Sequence, residues 1–193
     1  MMETFVLFYK QGLAHILDIN GIDHLLFILS ITVFFSLKNW KKLAWVITAF
    51  TIGHSFTLLL SVFDVFTAPR TIIEILIPVT IIITGANNLF KVYSPSQTNY
   101  QILYGLVLFF GCIHGLAFSN FLKMTLFEGD DLAMSLLGFN LGIEAGQLII
   151  VAIFLTSIQG VLFLFKRIGH NHIIITCSIL IILGALSILY NLL

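Results

Sequence analysis

Long apolar runs alternate with short polar breaks along the whole chain. A bilayer core takes about 20 residues of α-helix, and the stretches 21–37, 43–63, 71–91, 101–122, 133–163 and 172–192 qualify. The fifth is too long for one straight crossing. It is expected to tilt, to bend at Gly142 or Gly146, or to run on along the interface after Ser157. Ahead of these runs, Phe5, Phe8, Gly12, Ile16 and Ile19 recur at helical spacing, with Glu3, Lys10, Gln11 and Asp18 between them. That pattern predicts an amphipathic helix at the membrane interface over residues 1–20. The predicted fold is all-α: a polytopic transmembrane bundle of about six spans over residues 21–193, preceded by that interfacial segment. Short loops predict that successive spans are antiparallel neighbours.

Composition sharpens this picture. Of 193 residues, 59% are hydrophobic and 9% charged, against about 25% charged in an ordinary soluble domain. Little chain is left for a soluble domain, and the lipid bilayer is the implied surrounding. Nine acids balance nine bases, so no global field attracts nucleic acid. The N-terminus has no basic stretch and small-residue cleavage site typical of a signal peptide. Loops one, three and five carry Lys38, Lys41, Lys42, Lys91, Lys166 and Arg167; the opposite end carries Lys10, Arg70 and Lys123, beside the acids Asp64, Glu128, Asp130 and Asp131. The positive-inside rule then places both termini outside the cytoplasm. Trp40 and Trp45 mark an interfacial belt near the first loop.

No Lys or Arg falls mid-span; the ionisable groups there are acids and histidines. An ionisable group at membrane depth is costly and calls for a partner or a function. With no fixed cation to balance the acids, the pattern points to ligands for a mobile cation. Asp23 and His24 open the first span. His54 lies about mid-span in the second, on one face with Thr51, Leu58 and Ser61. Glu74 stands one turn before Pro78, with Asn88 further along the same face. His114 lies beside Gly111 and Gly115, whose spacing admits a second helix closely. Asn140, Glu144 and Gln147 form a polar stripe on the fifth span, with Gly138, Gly142 and Gly146 on another face. The plainer alternatives are a histidine that only hydrogen-bonds a neighbouring helix, and an Asp23 or Glu74 solvated near the headgroups. His170 and His172, in the basic fifth loop, are expected to be solvated. Cys112 and Cys177 sit in apolar runs and read as small core residues. Imidazole and carboxylate without thiolate suit Ni(II), Zn(II), Fe(II), Mn(II) or Co(II) rather than Cu(I). No helix carries a His-Glu-x-x-His pattern, so any metal site is assembled between helices.

Gly-Ile-Asp-His-Leu-Leu-Phe at 21–27, Phe-Thr-Ile-Gly-His-Ser-Phe-Thr-Leu at 50–58, Phe-Gly-Cys-Ile-His-Gly-Leu-Ala-Phe at 110–118 and Phe-Asn-Leu-Gly-Ile-Glu-Ala-Gly-Gln at 139–147 together resemble the HupE/UreJ family. Glu74 with Asn88 matches a weaker element of it, and His15 corresponds loosely to a family histidine before the Asp-His pair. The resemblance implies a small inner-membrane protein of hydrogenase and urease systems that takes up nickel or a related divalent cation. It supports Asp23, His24, His54, His114, Glu144 and Glu74 as metal-binding positions, with His15, Asn140, Gln147 and Asn88 in support. The leading reading is a permease without a nucleotide-binding motif. The runner-up is an intramembrane zinc-type metallohydrolase using the same cluster. The third is a metal-stabilised membrane accessory protein or scaffold. A homo-oligomer or an accessory protein partner is left open.

Overall fold

A computed structural model of the chain describes residues 2–18, 21–94, 99–125 and 131–192, without the side chains of 120, 121 and 123. Ile19 and Asn20 at the expected segment boundary, and Glu128 and Asp130 of the fourth loop, lie outside the described residues. The helices are α1 (Met2–Leu17), α2 (Ile22–Thr32), α3 (Trp40–Val62), α4 (Arg70–Tyr93), α5 (Tyr100–Thr125), α6 (Leu132–Leu164) and α7 (His170–Leu192), and no strand occurs among the described residues. Helix ends follow local chemistry. Asp131 Oδ1 accepts the Met134 backbone N–H at 3.2 Å to cap α6, and Asn99 Oδ1 accepts from the Gln101 N–H at the start of α5.

Helices α3 to α7 are each long and apolar enough to cross a membrane. The expected first span differs. Its run to residue 37 ends in helix at Thr32, and 11 residues rise only about 16 Å, short of a core of about 30 Å. Helices α1 and α2 reach span length only as a pair, bent by 74°. The long fifth run is one helix through to Leu164, with no break at Gly142 or Gly146.

Helix α1 does not stand apart from the bundle. It runs parallel to the first half of α6, burying Phe8, Gly12 and Ile16. The backbones interlock: a Cβ on Gly12 would strike the Phe139 carbonyl, and one on Gly142 would strike that of Tyr9. Likewise α3 runs parallel to α5, where a Cβ on Gly53 would meet the Leu108 carbonyl and one on Gly111 that of Phe50. The third main pair is α4 with α7, at Gly85. The most extensive packing thus joins helices distant in sequence, contrary to the order that short loops suggest. Between apolar helices in lipid, van der Waals fit and close backbone approach choose partners, and the glycines permit that fit at these seams. Short α2 is left in the middle, touching α4, α6 and α7.

Candidate functional site

The glycine seams and the break before α2 bring histidines of four helices into one region. The rings of His15 (α1) and His24 (α2) lie 4.6 Å apart between centroids, edge to face. His24 and His114 (α5) are 5.4 Å apart. His54 (α3) sits in the α3–α5 seam: its backbone faces Gly111 and Gly115, and its ring lies 6.2 Å from that of Phe50, which in turn lies 5.2 Å from His114. His54 and His114 are fully buried, and His24 is 6% exposed. Phenylalanines wall the cluster. Phe27 and Phe50 lie 5.0 and 5.2 Å from the His114 ring, and Phe118 lies 4.0 Å from that of His15.

The hydrogen bonds fix what two of these rings present. His114 Nδ1 donates to the Phe110 carbonyl at 2.9 Å. A carbonyl only accepts, so Nδ1 carries the hydrogen and Nε2 holds a free lone pair. His24 Nδ1 pairs in the same way with Asp23 Oδ1 at 3.0 Å. Nε2 of His15, His24 and His114, and both ring nitrogens of His54, are buried without a hydrogen-bond partner. Buried polar atoms are nearly always partnered, and exceptions call for an explanation such as a bound ion or water. As they stand, no three His, Cys, Asp or Glu side chains among the described residues are grouped so that they could hold one ion.

The other expected residues fall outside the imidazole cluster. Glu144 accepts from the Thr48 hydroxyl at 2.6 Å, and Gln147 accepts from Thr51 at 3.0 Å. Both bonds tie α6 to α3. Asn140 Oδ1 is buried without a partner. Asn88 bonds the Ser30 carbonyl, six residues and about 9 Å along α2 from His24. Glu74 pairs with Arg70 at 2.6 Å, with the Glu74 side chain 34% exposed. Yet Glu74 and Asp23 line one cleft of about 270 Å³ between α2, α4 and α7. Ser55 and Ser119 turn their hydroxyls to the backbone carbonyls of Thr51 and Leu116. His172 is exposed, as expected of the fifth loop, and His170 is half-buried. The phenylalanine walls and Thr48 were not singled out in the sequence. Thr48 precedes Thr51 by one turn, and that hydroxyl stripe was the available signal.

The family model described as HupE / UreJ protein matches residues 1–192. The chain belongs to the HupE/UreJ family. Neither the curated proteins nor the solved structures include a significant match. Of the HupE/UreJ-like elements in the sequence, those at 21–27 and 110–118 supply His24 and His114, which meet across α2 and α5, and that at 50–58 supplies His54. The element at 139–147 supplies Glu144 and Gln147, which bond α3 below His54 in chain order. His15, the loosest correspondence, is in direct ring contact with His24.

Proposed function

We propose that this HupE/UreJ protein is a permease for a divalent transition-metal cation, nickel being favoured by the family resemblance. The supporting observation is the group of buried imidazoles whose outward ring nitrogens lack a partner. Neutral imidazole is a ligand for such ions and carries no charge to be desolvated while it waits. Asp23 and Glu74 line the cleft through which the cation comes to His24. Asp23 also holds the His24 ring so that Nε2 is the free nitrogen, a positioning role usual for the outer partner of a metal-binding histidine. Two imidazoles and retained water bind the ion at a time, and modest ring rotations pass it between His15, His24, His114 and His54. Loose, successive coordination suits conduction, which needs release as well as binding. Glu144 and Gln147 of α6, bonded to Thr48 and Thr51, brace α3 beside this path. The protein sits in the bacterial inner membrane with both termini outside the cytoplasm, consistent with the basic loops one, three and five.

The test is Ni²⁺ flux into sealed liposomes holding the purified protein, read by a metal-sensitive dye inside. The wild type raises the signal above protein-free vesicles, and His24→Ala and His114→Ala each lower the rate at least about tenfold while remaining monodisperse. Absence of flux, with one ion kept through chelation, would overturn the permease reading in favour of an enzyme or scaffold.

A further inference from the structure

A second cleft is lined by none of the four histidines. It lies between α2, α4 and α5 and has a volume of about 260 Å³. Its walls include Phe35, Val107 and Phe110, while Asn39, Asn87 and Lys91 supply polar atoms. Register separates the two groups: Asn39 precedes α3, Lys91 is in the last turn of α4, and Phe110 is ten residues into α5. The polar groups therefore sit at the end of the bundle that bears the basic loops, and the apolar wall extends into it. Exposed Ile83 and Leu106 line the opening, so the cleft faces the surrounding lipid.

Charge at this mouth is one-sided. Lys91 Nζ lies 5.1 Å from the Phe34 ring centre, and Lys42 Nζ lies 4.2 Å from that of Tyr100, another residue of the cleft. Among the described residues neither Lys91 nor Lys42 forms an ion pair with a carboxylate. Aromatic faces hold both ammonium groups in place. An apolar slot that opens to lipid and is headed by unbalanced ammonium groups fits an amphipathic anion. We propose that it binds an anionic phospholipid, with an acyl chain between α2, α4 and α5 and the phosphate meeting Lys91 and Lys42. The chain contributes through the apolar wall and the headgroup selects through charge.

Native mass spectrometry of the full chain, released from detergent with phosphatidylglycerol or phosphatidylcholine of equal chain length, tests this. Phosphatidylglycerol adducts are expected to exceed phosphatidylcholine adducts about fivefold or more, a preference that Lys91→Gln abolishes and Lys91→Arg retains. Val107→Trp, which fills the wall, is expected to reduce both adducts. Size-exclusion profiles check that each variant is folded; if Lys91→Gln is not, Lys42→Gln takes its place and must reduce the preference. Equal retention of the two lipids, an unchanged preference in the charge variant, or stabilisation by inorganic phosphate matching that by phosphatidylglycerol would overturn the proposal.

Discussion

Around His24 and His114 one ring nitrogen is held and the other is left open, whereas a turn or two back along α3 the polar side chains are paired with each other. Thr48 bonds Glu144 and Thr51 bonds Gln147 across the α3–α6 contact. His24 lies against both His15 and His114, with His54 reached across Phe50, and their outward nitrogens are buried and unpartnered. The two groups share α3 but spend polarity differently. Interhelical hydrogen bonds in lipid hold neighbours together for about 0.6 kcal/mol on average. Open imidazole nitrogens hold nothing together, and the proposed passage of an ion gives them a use inside an apolar wall.

That contrast can be broken at several strengths. The largest effect is expected from Gly111→Leu. Its side chain would run into the backbone of α3 at Phe50, which the parallel seam cannot accommodate without separating His54 from His114. Overpacking of this kind costs about 1–3 kcal/mol or more, and backbone contact puts it at the upper end. Loss of monodisperse protein and of all Ni²⁺ flux is the expected readout. Next is Asp23→Asn, which keeps the shape but loses the carboxylate that orients His24. Flux is expected to fall about tenfold with thermal stability unchanged; a fall in stability with normal flux would instead make Asp23 a structural group. Thr51→Val acts on the paired group, leaving Gln147 without its donor. It is expected to cost about 1 kcal/mol of stability while flux stays within about twofold, so unfolding midpoint and flux respond oppositely to the two substitutions. The smallest effect is that of Arg70→Ala. The pair with Glu74 is largely open to solvent on the arginine side, and exposed pairs contribute about 0–1 kcal/mol, so stability is expected to change by less than 1 kcal/mol in denaturant titrations.

Much of the candidate site was legible because lipid makes polarity conspicuous. Against a background of 59% hydrophobic residues, His54, His114, Asp23 and His24 stand out at their spans; the three histidines are buried and Asp23 is half-buried. The same logic gave Glu144 equal standing with the imidazoles, with Gln147 in support, and the structure pairs both with α3 hydroxyls. No spacing rule distinguishes a polar stripe that meets a cation from one that meets a threonine on another helix. His15 was the reverse case. On an amphipathic segment before the first long run it read as ambiguous, and only the packing of α1 along α6 carries it to His24.

Apolar periodicity by itself determined that this chain is a bundle of membrane-length helices, because about 20 apolar residues in a row have few other stable solutions. The glycine pairs in the sequence also marked where helices could come close. Which helices meet there was decided only by the tertiary structure. Lipid offers no hydrophobic preference among apolar faces, so the partner is chosen by fit between backbones, and that fit joins α1 to α6, α3 to α5 and α4 to α7.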